Sequence, residues 1–264
     1  MKPFNPPLAD WHGKTAWIVG ASSGIGRATV LALLARGARV AVSARNREAL
    51  EEVAAMHNDA SRPPSVIVLP LDVRDAAAVA AAHAQLQAVA GQIDFVLYNV
   101  ATYDALRADA FALDAMLAHQ QINYVGALHV LAAVLPDFVA RGAGHLSITG
   151  SVAGFRGLPQ SLAYGPTKAA LGNLAEVLYI DLHARGIGVS LVQPGFVETP
   201  LTAKNDFRMP ALITPAEAAE AMLDGWRRGA FEIHFPRRFT FWMKLMRVLP
   251  YRLYFPAVAR FTGL

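Results

Sequence analysis

Tyr164 and Lys168 stand four residues apart in Tyr-Gly-Pro-Thr-Lys, a spacing that puts both side chains on one face of a helix. A phenol with an ordinary pKa of about 10 trades protons poorly at neutral pH. A neighbouring ammonium favours the phenolate, so the pair points to a tyrosine that gives and takes a proton. Pro166 falls in the first turn, where it is tolerated, and helps fix the helix start. Thirteen residues before Tyr164, Ser151 follows an apolar run in Thr149-Gly-Ser-Val-Ala-Gly154. Its hydroxyl is expected at the C-terminal edge of a sheet, where it could polarise a carbonyl oxygen. A serine that merely forms a turn gives the same pattern.

A second cluster opens the chain. Gly20-Ala-Ser-Ser-Gly24-Ile-Gly26 directly follows an apolar run and precedes a helical stretch that begins near Arg27. Strand, glycine-rich turn and helix together suit a dinucleotide pyrophosphate, since glycines let the backbone approach the phosphates and the helix N-terminus offers free N–H groups. On that basis Gly20, Ser22, Ser23, Gly24, Ile25 and Gly26 are cofactor-binding candidates, and a tight turn needing small residues is the alternative. The next strand ends Val42-Ser43-Ala44-Arg45-Asn46-Arg47, without the acid that would bind a ribose 2′-OH. Arg45 can pair with a 2′-phosphate and Ser43 can add a hydrogen bond, which favours NADP(H) while leaving NAD(H) open. Solvated arginines at a helix start are the alternative.

In their order and spacing these residues resemble the short-chain dehydrogenases/reductases in their one-domain form. The resemblance covers about residues 12–235 and rests on Gly20-x-x-x-Gly24-x-Gly26, Asp72, Asn99, Asn123, Ser151, Tyr164, Lys168, Pro194-Gly195 and Thr199. It implies that Tyr164 is the general acid/base, that Ser151 orients the reacting oxygen, and that Lys168 holds the nicotinamide ribose and depresses the Tyr164 pKa. It further implies that Asn123 sits at a helix irregularity and holds a water in a relay reaching Lys168. Asp72 and Val73 would contact the adenine, Asn99 would lie beside the adenosine ribose, and Pro194, Gly195 and Thr199 would hold the nicotinamide. Two departures from the family pattern touch the cofactor site: Val19 stands where a threonine is usual, and Tyr98-Asn99-Val100-Ala101 replaces Asn-Asn-Ala-Gly. The reaction implied is hydride transfer between the nicotinamide and a carbonyl or alcohol carbon. A catalytically silent NAD(P)-binding sensor or scaffold and an NAD-dependent alcohol dehydrogenase are the rival functions.

The elements that must position these groups are legible as an alternation. Apolar runs at 15–19, 39–43, 65–70, 94–98, 145–149 and 188–193, with a last one at 231–235, read as strands covered on both faces. Helical stretches are expected near 25–36, 46–57, 75–90, 115–140 and 161–185, with Thr214-Pro215-Ala216-Glu217 capping one more that runs to about Trp226. The pattern predicts an α/β fold, a doubly wound parallel sheet of Rossmann type. Residues 1–235 form one catalytic domain in this reading, and 236–264 a basic amphipathic appendage.

Composition narrows the classes further. The chain has 264 residues, 54% of them hydrophobic and 17% charged, which excludes a disordered chain. The absence of cysteine removes disulfides, Cys-ligated metals and thiol nucleophiles, and no metal site is expected. The N-terminus carries no apolar stretch of signal-peptide length, and a cytoplasmic location is expected. The uncharged run from Ala115 to Pro136 contains His119, Gln120, Gln121, Asn123 and His129, too many polar groups for a hydrocarbon core. From Arg227 onward eight Lys and Arg face Glu232 alone, so a basic tail sits on a mildly acidic body and no nucleic-acid surface is expected. Phe239, Trp242, Met246 and Leu249 recur there at helical spacing. They fit a helix packed on the substrate cleft or on another subunit, or one lying peripherally on a membrane. Val100–Tyr103, Phe155, Leu158, Leu201, Phe207, Met209 and Leu212 suggest an apolar cleft for a lipophilic ketone or alcohol, with Lys204 and Arg208 as charged exceptions. The same side chains packing on one another or on a second subunit is the alternative. Family members commonly form homodimers or homotetramers through the helices near 115–140 and 161–185.

Overall fold

A computed structural model describes the chain except for residues 1, 60–62, 206, 208 and 264. Arg208, one of the expected charged exceptions in the cleft, lies outside the described residues. Seven strands, β1 (Thr15–Val19), β2 (Arg39–Ser43), β3 (Val66–Val68), β4 (Phe95–Tyr98), β5 (Gly144–Thr149), β6 (Ile187–Pro194) and β7 (Glu232–Phe235), form one sheet. Their order is β3-β2-β1-β4-β5-β6-β7 and every pairing is parallel. Side chains alternate across the sheet. In β1, Trp17 and Val19 enter one core while Ala16 and Ile18 enter the other, which is why the run is continuously apolar.

Helices cover both faces. On one lie α1 (Gly24–Leu34), α2 (Arg47–His57) and, from further along the chain, α7 (Pro215–Arg227), which bring Val30, Leu33, Leu50, Met222 and Trp226 to the sheet. The other face carries α3 (Ala76–Ala90), a long helix made of α4 (Leu113–His119), a π turn (Gln120–Val125) and α5 (Gly126–Arg141), and then α6 (Tyr164–Leu182). That long helix spans 29 residues and is apolar enough to cross a membrane by length and composition. Here Val130, Leu131, Val134 and Phe138 are instead buried in the core. α7 begins at the expected cap, with Thr214 and Glu217 bonding each other's backbone.

The order of strand addition reverses between β1 and β4, so crossovers leave opposite faces there and open a crevice beyond the C-terminal ends of the strands. After β7 the chain adds two helices rather than the single tail helix expected, α8 (Arg237–Arg247) and α9 (Tyr251–Thr262). Pro250 ends the first and caps the second, and Pro256 lies inside α9.

Candidate active site

Ser151 leaves β5 in extended conformation and caps a one-turn 3-10 helix, where the Ala153 N–H donates to its Oγ at 3.1 Å. The Ser151 hydroxyl also lies beside the Tyr164 side chain, where it favours the phenolate. Tyr164 is the first residue of α6. Gly154 lets the turn dock on α6, since a Cβ there would meet the Lys168 backbone at 2.7 Å. Lys168 is 1% exposed and its Nζ donates to the Thr149 carbonyl at 2.8 Å.

Burial pushes the Tyr164 phenol up to about 12, against the pull of the Ser151 bond, and Tyr103 pushes the same way. Burial also pushes Lys168 down, to about 7. The expected depression of Tyr164 by Lys168 is therefore not what the protein groups alone produce. Nζ lies 5.6 Å from the Tyr164 ring centroid and is engaged with Thr149.

Asn123 sits in the π turn, an irregularity in a long helix of the kind the resemblance implied. Its amide hydrogens go to the Thr102 carbonyl and Thr167 Oγ1, both at 3.1 Å, while Oδ1 accepts from the Thr102 N–H at 2.7 Å. Both amide hydrogens are thereby committed within the protein. The π turn has a second support that sequence reasoning missed. Tyr98, 3% exposed, donates its hydroxyl to the Ile122 carbonyl. Gly126 makes room for it, because a Cβ there would meet the Tyr98 hydroxyl at 2.6 Å. The departure at Tyr98 thus buttresses the helix turn that carries Asn123.

The glycine loop is a cradle that side chains would fill. Gly20 and Gly24 have φ of +98° and +54°, and a Cβ on Gly26 would lie 1.9 Å from the Gly20 carbonyl. Ser23 is the N-cap of α1 yet makes no side-chain bond to it, which leaves first-turn N–H groups for an anion. Asn99 supports the loop through Nδ2 to the Gly20 carbonyl (3.4 Å) and receives Thr149 Oγ1 on its Oδ1 (3.0 Å).

All the proposed cofactor residues except Gly26 line one cleft of about 650 Å³, together with Ser151, Tyr164 and Lys168. Gly26 acts behind the wall, and Asn123 holds the wall from outside. Thr199 closes over Gly24, where a Cβ would meet its Cγ2 at 2.8 Å. Val73 is held by His129, whose ring nitrogen donates to its carbonyl at 2.8 Å. These groups fit a dinucleotide: a glycine turn and helix N-terminus for the pyrophosphate, with a deep end at Lys168.

At the far end of the cleft Arg45 is exposed and has no ion pair among the described residues, whereas Arg47 pairs with Glu51 at 3.3 Å. Asp72 is tied to Arg74 at 2.6 Å, and that bond holds its carboxyl below the usual range. Ser43 departs from expectation. Its side chain is fully buried and its Oγ accepts from the Trp17 indole N–H at 2.9 Å, which ties that oxygen into the sheet and leaves only its O–H to donate.

On the substrate side Val100, Ala101, Thr102 and Leu201 line the cleft, while Leu158 and Met209 do not. Phe155 turns to the Arg247 guanidinium, 5.6 Å from its ring centre, and Phe207 packs on Phe196 at 5.7 Å. Tyr103 meets the Tyr164 ring edge-on at 5.4 Å. Lys204 is neutralised by Asp104 (3.1 Å) and the Tyr103 carbonyl (2.9 Å). The tail joins this wall. Phe239 packs on Phe196 at 5.3 Å and against Gly195. Arg156 reaches the Leu249 carbonyl and the ends of α8, and lies 3.9 Å from the Tyr254 ring centre, while Tyr254 donates to the Gly157 carbonyl at 2.7 Å.

Fold and cleft define a nucleotide-binding α/β enzyme with a Ser-Tyr-Lys cluster at the sheet edge. The family model for short chain dehydrogenases matches residues 14–209. An uncharacterised oxidoreductase of Myxococcus xanthus (strain DK1622) is 37% identical over 255 residues, covering 96% of this chain and 99% of that protein. A short chain dehydrogenase from Burkholderia cenocepacia J2315, solved in complex with NADP, superposes with TM-score 0.81 at 24% identity, covering 94% of this chain and 98% of that one. A short chain dehydrogenase/reductase from Burkholderia phymatum, solved with NAD, does so at TM-score 0.81 and 22% identity, covering 90% and 94%. The chain belongs to the short-chain dehydrogenase/reductase family, a class of NAD(P)-dependent oxidoreductases.

Proposed function

We propose that the protein interconverts a carbonyl and an alcohol on a lipophilic small molecule, using NADP(H), with Tyr164 as general acid/base. The observation that carries this is the meeting of Ser151, Tyr164 and buried Lys168 at one end of the cleft that the glycine loop opens. The Ala153 N–H bond takes one lone pair of the Ser151 oxygen and fixes its place, and the hydroxyl hydrogen remains to donate. That O–H can turn to the substrate oxygen and hold it against Tyr164. In reduction Tyr164 gives its phenolic proton to the oxygen that becomes the alcohol; in oxidation its oxygen takes that proton. The phenolate left after donation is favoured by the Ser151 bond, and Lys168, held near 7 by burial, can carry a proton at neutral pH. The nicotinamide, when bound, supplies or accepts the hydride.

Arg45, exposed at the end of β2 and lining the cleft, supports the preference for a 2′-phosphate, since no acid ends β2 and the nearby Asp72 is paired with Arg74. Cells keep the NADP(H) pool reduced, so reduction is the working direction in this reading, in a cytoplasmic setting. Val100, Ala101 and Leu201 on the wall, with Lys204 already neutralised, support an apolar substrate. Exposed Leu128 and Val139 on α5 and Val177 and Ile180 on α6 support a homodimer or homotetramer joined through those helices. The test is a fluorescence titration with NADPH and NADH, followed by NADPH oxidation with apolar ketones. Tighter NADPH binding with ketone-dependent turnover is expected. NADH preference overturns the cofactor assignment, and binding without turnover across ketones and alcohols overturns the enzyme in favour of a sensor.

A further inference from the structure

The two tail helices leave more apolar surface in solvent than any comparable stretch of the chain. Phe241, Trp242 and Leu245 on α8, Val248 just after it, and Tyr251, Leu253, Phe255 and Phe261 on α9 are all exposed, Trp242 by 63% and Phe261 by 82%. Along α8 the exposed set recurs at Arg238, Phe241, Trp242, Leu245 and Val248, a single stripe. The opposite side, with Phe239 and Thr240, packs on the domain. α9 is held by buried Tyr254, through the Arg156 and Gly157 contacts, and by Tyr251, whose ring lies 4.6 Å from Arg156, while Phe255 and Phe261 are exposed. Contiguous apolar surface on this scale marks a surface that another phase or molecule covers.

Charge selects the occupant. Residues 236–264 contain six Lys and Arg and no acid. Lys244 is paired with Glu232, while Arg237, Arg238, Arg247, Arg252 and Arg260 are exposed and in no ion pair among the described residues. A symmetric contact with a second copy would set the same surface against itself, arginine against arginine, with no carboxylate between them. An anionic bilayer offers the reverse: phosphates for the guanidinium groups and an acyl boundary for the rings. We infer that α8 and α9 form a docking surface for an anionic membrane, with Trp242, Phe241 and Phe255 entering the interface. Neither helix is long enough to span it, at 11 and 12 residues. α8 also packs Phe239 behind the cleft, against Phe196 and Gly195, which ties the docking face to that side of the cleft. The inference stands independently of the proposed reaction, because its readout is binding.

The protein contains its own reporter. Of its four tryptophans, Trp11, Trp17 and Trp226 are 2%, 0% and 0% exposed, which leaves Trp242 as the one a lipid quencher can reach. The full chain is mixed with vesicles of phosphatidylcholine containing about one-third phosphatidylglycerol, and with phosphatidylcholine alone, using brominated acyl chains as quencher. The expected result is co-sedimentation with the anionic vesicles only, weakened by salt, with quenching that is lost in Trp242→Phe while binding is kept. Each arginine near an anionic surface is worth about five-fold in partitioning. Arg252→Gln/Arg260→Gln should therefore weaken binding about 25-fold, and Phe241→Ser/Trp242→Ser should abolish insertion. NADPH or NADH binding by each variant reports that its domain is folded. Failure of the folded wild type to bind either vesicle overturns the inference. So does self-association in sedimentation velocity that shields Trp242 from acrylamide without lipid, because a second copy then covers the face.

Discussion

Replacing Arg45 by alanine tests the residue proposed to favour a 2′-phosphate. Its guanidinium lines the cleft at the end of β2 and is exposed, and no carboxylate pairs with it among the described residues. A charge-assisted hydrogen bond contributes about 1.5–3 kcal/mol, and solvent screening at an exposed site argues for the low end of that range. About 1.4 kcal/mol is tenfold in affinity. Arg45→Ala should therefore weaken NADPH binding about tenfold and leave NADH within twofold. Isothermal titration with both nucleotides measures the pair of constants directly. Arg47→Ala is the internal control, since Arg47 is held by Glu51 and should change neither. Raising salt should shrink the wild-type preference and leave that of Arg45→Ala flat. Equal losses for both nucleotides in Arg45→Ala, or a loss of preference in Arg47→Ala, would refute the assignment.

Tyr98→Phe leaves the Ile122 carbonyl without its partner, at a cost of about 1–2 kcal/mol. A melting point lower by a few degrees and reduced kcat with unchanged nucleotide affinity are expected; unchanged kcat would mean that Tyr98 does not position the π turn. Burial holds Lys168 at about 7 against its ordinary 10.5, so between those values the unfolded chain binds more protons and stability from this site rises with pH. Lys168→Met should then melt above the wild type at about pH 6, by an amount that shrinks toward about pH 10, while losing turnover; a pH-independent difference in calorimetry contradicts the burial. Arg156→Ala removes the carbonyl bonds at the end of α8 and the contact with Tyr254, together about 1–3 kcal/mol. Trypsin should cut at Arg247 and Arg252 about tenfold faster while the 1–235 region stays intact, and unchanged cleavage would show that the tail is held elsewhere.

The strands were legible because a sheet covered on both faces needs apolar residues at every position, as Ala16, Trp17, Ile18 and Val19 show by dividing between two cores. The meeting of Ser151, Tyr164 and Lys168 in one cleft was legible because they lie close in sequence. Supports whose partners are main-chain atoms far along the chain were not. Tyr98 meets a carbonyl 24 residues away and Arg156 one 93 residues away, and a carbonyl carries no sequence signal. Ser43 was misjudged for a related reason, since its partner, the Trp17 indole, is set by the register of β1 on β2. The second tail helix carries no such signal in the sequence, since a proline caps it at Pro250 and another, Pro256, lies inside it.

The most direct test of the proton-transfer role is Tyr164→Phe, assayed for NADPH affinity and for turnover on whichever apolar ketone the wild type reduces. The substitution removes only the hydroxyl that meets Ser151 and keeps the ring that packs on Tyr103. Nucleotide affinity within about twofold of wild type is expected, with turnover lower by about 10²–10⁴-fold. Turnover within tenfold of wild type at full nucleotide saturation would contradict the account, because the proton would then come from another group.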